Sequence, residues 1–160
     1  MKQIKIEINM ELCQPDELTA QERDLVLRAQ QATENAYAKY SRFYVGAAAL
    51  LADGQIFIGA NQENAAFPSG LCAERTAIFA AQANSPSQPI TMLAIAARND
   101  AGPLEQPITP CGSCRQVILE IEDRYKQPVE ILLHGKVSTY RIRSIRDLLP
   151  LQFVDENMKH

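Results

Sequence analysis

The stretch VGAAALLADGQIFIGAN, residues 45–61, sets the architecture of the chain. It contains two apolar segments, residues 45–52 and 55–61, on either side of the dipeptide Asp53-Gly54. An Asp-Gly pair between two strand-like segments is a strong signal for a β-hairpin. The two segments are therefore predicted to pair as antiparallel strands.

The sequence downstream of the hairpin alternates between helical and strand-like patterns. Helices are predicted over residues 72–84 and 112–125, and strands over residues 90–98 and 129–135. Because a helix connects the last two strands, they are expected to lie parallel to each other in a crossover unit. With the hairpin, this predicts a mixed sheet covered by helices.

The N-terminal region has two further signals. Residues 2–10 (KQIKIEINM) alternate polar and apolar side chains, which is the period of a half-buried strand. Thr19 followed by Glu22 has the spacing of a capping box and predicts a helix that runs to about Lys39. Residues 1–18 are thus an N-terminal extension with a predicted strand.

Bulk composition is that of one globular domain. The chain has 160 residues, 46% hydrophobic and 22% charged, and a net charge of −3. These values predict a single domain over residues 1–160 and offer no basic surface for nucleic acid. No stretch approaches the roughly 18 apolar residues of a membrane span, so a cytoplasmic protein is expected.

Two cysteine motifs point to a metal site. Cys72-Ala-Glu74 is followed, after a gap, by Pro110-Cys111-Gly-Ser-Cys114. Three thiols can bind a zinc ion, and a catalytic zinc site has three protein ligands whereas a structural site normally has four. No fourth ligand stands near either motif in the sequence, which favours a catalytic site.

Both motifs coincide with predicted helix starts, where free N–H groups and the helix dipole stabilise thiolates. Three thiolates and one Zn²⁺ leave a formal charge of −1, which opposes ionisation of a bound water. Arg75 and Arg115, each next to a cysteine in sequence, are candidates to offset that charge.

Glu74 is the candidate proton shuttle. Residues two apart on a helix do not share a face, so Glu74 is poorly placed as a fourth ligand beside Cys72. It is close enough to reach a water on the same ion. Taken alone, an acidic residue in a first helical turn is a common dipole-stabilising feature.

Three blocks of the sequence resemble the cytidine deaminase family, specifically its small homotetrameric, zinc-dependent members. They are Tyr40-Ser-Arg-Phe43-Tyr-Val-Gly-Ala, the segment NQENAAFPSGLCAERTA (residues 61–77) and Pro110-Cys-Gly-Ser-Cys-Arg-Gln116. The resemblance implies a three-layer α/β/α sandwich with a mixed, roughly five-stranded sheet. It also implies one Zn²⁺ per subunit.

The resemblance assigns a role to each candidate site residue. It implies that Cys72, Cys111 and Cys114 are zinc ligands, that Glu74 is the catalytic proton shuttle and that Arg75 hydrogen-bonds the thiolates. Further residues are implied in substrate binding: Phe43 beside the nucleoside, Asn61 and Glu63 at the ribose 3′-hydroxyl, Tyr40 nearby, and Ala65, Phe67 and Phe153 reaching the site of a neighbouring subunit.

The implied activity is hydrolytic deamination of cytidine and 2′-deoxycytidine to uridine and 2′-deoxyuridine with release of ammonia, as in pyrimidine salvage. The implied partners are a small nucleoside and other copies of the chain in a homotetramer, without nucleic acid or membrane. Two departures from the family pattern are Phe67, where many members have Tyr, and Lys39, where Pro is frequent.

Three alternatives remain open from the sequence. One is a related zinc deaminase that acts on another aminopyrimidine, such as blasticidin S. A second is a polynucleotide-editing deaminase, although such enzymes usually pair a His ligand with basic or aromatic surfaces. The third is a non-catalytic module in which zinc only stabilises the fold, which would make Glu74 dispensable.

Overall fold

The computed structural model describes residues 1–159, in which seven strands form one mixed sheet with helices on both faces. The strands are β1 (Glu11–Cys13), β2 (Tyr44–Leu51), β3 (Ile56–Ala60), β4 (Ile90–Asn99), β5 (Gly102–Pro103), β6 (Glu130–His134) and β7 (Thr139–Ile142). The helices are α1 (Ala20–Ala32), α2 (Ala73–Asn84) and α3 (Gly112–Tyr125). None of the helices in residues 1–159 has the length and hydropathy of a membrane span.

The sheet has the strand order β1-β7-β6-β4-β2-β3, and the two-residue β5 pairs with β4. The predicted hairpin is confirmed: β2 and β3 are antiparallel, and Gly54 in the turn has a φ of +89°, which glycine adopts without strain. The predicted crossover is also confirmed, because β4 and β6 are parallel with Met92 opposite Glu130. The sheet has more strands than the roughly five expected, since β1 and β5 are short additions.

Alternate residues of the central strands face two separate cores, which gives the three layers. On β2, Ala47 and Ala49 pack with buried residues of α2 and α3, whereas Ala48 and Leu50 pack with buried residues of α1. Small residues on β2 and β3 allow the helices to approach closely. At Gly46 and Gly59, an added Cβ would lie 2.0 Å from the Ala29 carbonyl oxygen and 2.3 Å from the Ala77 amide nitrogen, respectively.

The strand predicted over residues 2–10 is wrong. Within residues 1–159, the only strand in the N-terminal extension is β1, which pairs with β7 in the register Glu11 opposite Arg141. Since β7 ends at Ile142, residues before Met10 run past the end of their neighbour and have no strand to pair with. The alternating pattern is therefore present without the pairing it predicts.

Helix α1 begins as predicted but ends earlier. The Thr19 hydroxyl accepts from the Glu22 amide, and the Glu22 carboxylate accepts from the Thr19 amide, so the capping box is confirmed. The helix ends at Ala32 rather than near Lys39 and is followed by one 3₁₀ turn, Thr33–Asn35. Beyond it the backbone of Tyr37 turns to pair with Gln62, which brings residues 37–43 to the loop after β3.

Candidate active site

The three cysteine sulfurs lie together at the N-termini of two helices. Cys72 is the N-cap residue of α2, Cys111 is the N-cap residue of α3, and Cys114 lies in the first turn of α3. The Cys72 and Cys111 sulfurs are 3.7 Å apart, and the Cys111 and Cys114 sulfurs are 3.5 Å apart. Tetrahedral zinc with bonds of about 2.3 Å requires sulfurs about 3.8 Å apart, so the three thiols fit zinc.

The donor set has three members, as the sequence predicts. Within residues 1–159, the one group of His, Cys, Asp or Glu side chains close enough to share a metal ion consists of these cysteines, and Glu74 is not part of it. A three-donor set leaves a fourth tetrahedral position for water or substrate, as in catalytic zinc sites.

The electrostatic surroundings of the cysteines favour thiolate at one of them. Hydrogen bonding from the neighbouring Cys114 thiol and from Arg75 outweighs burial and lowers the pKa of Cys72 to about 5. The pKa of Cys114 is raised, because its thiol bonds to Cys72 and is buried. Metal binding then requires loss of the remaining thiol protons, which makes zinc affinity depend on pH.

The two arginines next to these cysteines in sequence have different partners. The Arg75 guanidinium donates from Nη2 to the Cys72 sulfur at 3.5 Å. Arg115 instead donates to the carbonyl oxygens of Pro110 at 2.8 Å and Leu148 at 2.7 Å. Arg75 is thus the arginine positioned to offset thiolate charge, whereas Arg115 ties the loop before α3 to the C-terminal segment.

Glu74 is buried in the first turn of α2, with 4% of its surface exposed. Its burial raises the pKa of its carboxyl group above the usual value. A carboxyl group whose pKa moves toward neutrality can both accept and donate a proton under physiological conditions. Glu74 also lines the same cavity as Cys72 and Cys111.

Two adjoining cavities extend from the cysteines to the surface. The inner cavity has a volume of about 260 Å³, and Cys72 and Glu74 are among the residues that line it. The outer cavity has a volume of about 450 Å³, and its lining includes Tyr40 and Glu63. Ser41, Asn61 and Cys72 line both. Together they have the size of a small-molecule site, with the thiols and the carboxyl group at the inner end.

Asn61 and Glu63 hold the loop that forms one wall of these cavities. The Asn61 amide accepts from the Val45 amide at 2.8 Å and donates to the Phe43 carbonyl at 2.9 Å. Glu63 accepts from the amides of Tyr40 at 2.7 Å and Ser41 at 3.3 Å. Hydrogen bonds from Ser41 and Tyr40 lower the pKa of Glu63, so it is a carboxylate with lone pairs left for a ligand hydroxyl.

The aromatic candidates divide between the two cavities. Phe43 lines the inner cavity. Tyr40 and Phe67 line the outer one and contact each other edge to face, with ring centroids 5.7 Å apart. The Phe67 ring is 74% exposed, so one side of it remains open to a further contact.

Ala65 and Phe153 do not line either cavity. Ala65 is exposed in the loop after β3, and Phe153 is 59% exposed near the C-terminus. The Phe153 carbonyl accepts from the Gln116 side chain at 2.8 Å, which fixes the segment beside α3. Their assignment to a neighbouring subunit's site, like that of Phe67, stays a prediction.

The residues that line the inner cavity and were not singled out from the sequence include Ser41, Ile108 and Thr109. Ser41 lies inside the block that carries Tyr40 and Phe43, and its hydroxyl accepts from the Phe43 amide. Ile108 and Thr109 directly precede Pro110. For these three residues, the one feature of the sequence that could have indicated a place in the cavity wall is their position within or next to a motif.

Comparisons with known proteins agree with this geometry. The family model described as "Cytidine and deoxycytidylate deaminase zinc-binding region" matches residues 19–127. A cytidine deaminase from Halalkalibacterium halodurans is 37% identical over 134 residues, covering 84% of this chain and 95% of that protein. One from Mycobacterium tuberculosis is 39% identical over 125 residues, covering 78% of this chain and 84% of that protein.

Solved structures show the same similarity. The crystal structure of cytidine deaminase from Burkholderia pseudomallei superposes with a TM-score of 0.71 at 39% identity, covering 85% of this chain and all of that one (100%). That of the Mycobacterium tuberculosis enzyme superposes with a TM-score of 0.64 at 35% identity, covering 82% of this chain and 95% of that one.

Proposed function

Because the chain belongs to the family of zinc-binding cytidine and deoxycytidylate deaminases, we propose that it hydrolyses cytidine and 2′-deoxycytidine to uridine and 2′-deoxyuridine with release of ammonia. The observation that carries the proposal is the buried Glu74 carboxyl group beside three clustered thiols, at the inner end of a cavity of nucleoside size.

Cys72, Cys111 and Cys114 would hold the zinc ion, and we propose one ion per chain. When bound, zinc lowers the pKa of a coordinated water to about 7 and so supplies the nucleophile for attack on C4 of the pyrimidine. Arg75 stabilises the Cys72 thiolate through its hydrogen bond.

Glu74 moves the protons of the reaction. It takes a proton from the attacking water and delivers it to N3 of the base as the water oxygen bonds to C4. It then transfers the second proton of that water to the amino group, and the C4–N bond breaks to release ammonia. Its raised pKa suits both directions of transfer, and its burial excludes competing solvent.

The sugar would occupy the outer cavity. Glu63 and Asn61 would hydrogen-bond the ribose 3′-hydroxyl, with Tyr40 nearby and Phe43 packed beside the base. The 3′-hydroxyl is common to ribose and deoxyribose, so contacts to it accept both cytidine and 2′-deoxycytidine. A carboxylate facing the outer cavity also disfavours a phosphorylated or polynucleotide substrate through charge repulsion.

The wider role follows the same proposal. We propose that the chain acts as one domain in pyrimidine salvage in the cytoplasm. We further propose that it works as a homotetramer in which Ala65, Phe67 and Phe153 approach a neighbouring subunit's site. The exposure of the Phe67 and Phe153 rings supports this arrangement, since exposed aromatic side chains are typical of contact surfaces.

A substrate panel tests the proposed activity. Zinc-loaded protein is mixed in turn with cytidine, 2′-deoxycytidine, cytosine and blasticidin S, and deamination is followed by ultraviolet absorbance; chelator-stripped protein is the control. We expect both nucleosides to be converted much faster than cytosine, which lacks the sugar that the outer cavity binds. Faster conversion of blasticidin S than of either nucleoside would overturn the substrate assignment.

A further inference from the structure

The N-terminal arm, residues 2–10, carries an apolar stripe that nothing in the described part of the chain covers. Ile4, Ile6, Ile8 and Met10 are 81%, 52%, 55% and 56% exposed, and the stripe continues into Leu12 of β1, which is 59% exposed. The arm precedes the region that the family model matches, which begins at residue 19. It is therefore outside the machinery of the proposed deaminase.

The arm also has unused backbone hydrogen-bonding groups. Within residues 1–159, its one assigned hydrogen bond runs from the Asn9 amide to the Asp147 carboxylate, at 3.1 Å. It leads directly into β1, which is the strand at one edge of the sheet. Unpaired strand-like segments at a sheet edge are templates for pairing with another chain.

The sequence of the arm is complementary to itself in the antiparallel direction. With a two-fold axis at Ile6, Lys5 lies opposite Glu7 of the second copy, and Glu7 lies opposite Lys5 of the second copy. Gln3 lies opposite Asn9 on the same face as these charges. On the apolar face, Ile4 lies opposite Ile8 of the second copy. Opposite-charge and β-branched pairs directly across two strands stabilise the pairing.

Neighbouring registers lack this match. An axis at Lys5 or at Glu7 places two like charges directly opposite each other, which destabilises the pair. An axis at Ile8 pairs Lys5 with Glu11, but Glu11 already accepts from Arg141 at 2.7 Å and Arg143 at 3.1 Å. If the two-fold axis lay between two residues, each apolar residue of the stripe would lie opposite a polar or charged residue of the second copy.

From these observations we propose that residues 3–9 form an antiparallel, two-fold symmetric strand pair with the same segment of a second copy of this chain. The contact is isologous, so one arm sequence supplies both surfaces. An isolated two-stranded ribbon is marginal in water, so the pairing depends on protein concentration and gains strength when several arms project from one assembly.

Disulfide trapping tests the register. In the proposed pair, the two copies of residue 6 face each other across the axis, at a Cα separation of about 4.5–5.5 Å that a disulfide can bridge. The two copies of residue 3 lie six residues out of register, roughly 20 Å apart. We expect zinc-loaded Ile6→Cys protein to form covalent dimers at least about tenfold faster than Gln3→Cys protein, because only the first pair of sulfurs meets.

Charge reversal tests the complementarity in the Ile6→Cys background. Lys5→Glu places an acidic side chain opposite Glu7 of the second copy on each side of the two-fold axis. The substitution should therefore slow dimer formation. Lys5→Glu combined with Glu7→Lys restores both opposite-charge pairs with unchanged composition and should restore the rate. Equal trapping of the Ile6→Cys and Gln3→Cys proteins, or of the single and double charge variants, would overturn the proposal.

Cytidine turnover per chain separates this proposal from the deaminase assignment. The arm lines neither cavity of the candidate active site. All of the arm variants should therefore deaminate cytidine at the wild-type rate, whatever their trapping. A protein that traps as expected yet does not act on cytidine would overturn the proposed function and leave the arm pairing intact.

Discussion

Gly59→Ala should destabilise the protein and the metal site together. Gly59 lies on β3 directly under the first turn of α2, and an added Cβ would be 2.3 Å from the Ala77 amide nitrogen and 2.4 Å from the Ala73 carbonyl oxygen. Ordinary contacts begin at 3.4 Å, so α2 must move away from β3 by about 1 Å. Both contacts are backbone atoms, which cannot rotate aside as a side chain would.

The expected magnitude follows from that overlap. Overpacking a close contact costs about 1–3 kcal/mol and occasionally more, and backbone contacts place this variant at the upper end. About 3 kcal/mol corresponds to a fall of roughly 6–12 °C in Tm for a domain of this size. Because the displaced turn follows Cys72 and contains Glu74, zinc retention should fall as well.

Thermal unfolding by circular dichroism and zinc content by atomic absorption measure both effects. Gly112→Ala is the matched control, because Gly112 lies between Cys111 and Cys114 in sequence and an added Cβ there has no neighbour within 4 Å. It should unfold at or slightly above the wild-type temperature, as alanine favours a helix more than glycine does. A Tm for Gly59→Ala equal to that of Gly112→Ala would refute the close-packing argument.

Three further outcomes are expected. Burial would raise the pKa of Glu22, but hydrogen bonds from Arg141 and Thr19 hold it at about 2. The Glu22 carboxylate therefore contributes up to about 3 kcal/mol to the free energy of unfolding above pH 4.5, and this contribution is lost as the pH falls toward 2. In urea unfolding measured across this pH range, Glu22→Gln should lack that part of the pH dependence. Arg75→Ala should weaken zinc binding roughly 10- to 100-fold in a competition with a chelating dye, while the far-ultraviolet spectrum stays unchanged; equal affinity would exclude a role for its hydrogen bond to Cys72. Glu63→Gln should raise the KM for cytidine roughly tenfold or more with a smaller change for cytosine, and an equal change for both would remove Glu63 from sugar binding.

Much of the fold was predictable because local and tertiary signals agree. Asp53-Gly54 defines the hairpin, and Thr19 with Glu22 defines the start of α1. The failures occurred where pairing depends on a distant partner. The alternation over residues 2–10 fits a strand, but the length of β7 decides whether a neighbour exists, and nothing local to residues 2–10 encodes that length.

The clustering of Cys72, Cys111 and Cys114 was predictable, because their motifs begin two helices whose N-termini meet. The partners of the two arginines were not. Arg75 and Arg115 each follow an acidic or cysteine residue of a motif and look equivalent in sequence. The structure shows that Arg115 instead donates its hydrogen bonds to the carbonyl oxygens of Pro110 and Leu148. Cavity walls such as Ser41 likewise depend on the path of a loop that has no regular pattern.

The role of Glu74 is tested by comparing the zinc content and the cytidine deamination of wild-type protein with those of Glu74→Gln. Glutamine keeps the size of the side chain but cannot move a proton. We expect one zinc per chain and a native circular dichroism spectrum for both proteins, with turnover by the variant reduced at least about 100-fold. Substantial turnover by zinc-loaded Glu74→Gln would contradict the assignment of Glu74 as the proton shuttle.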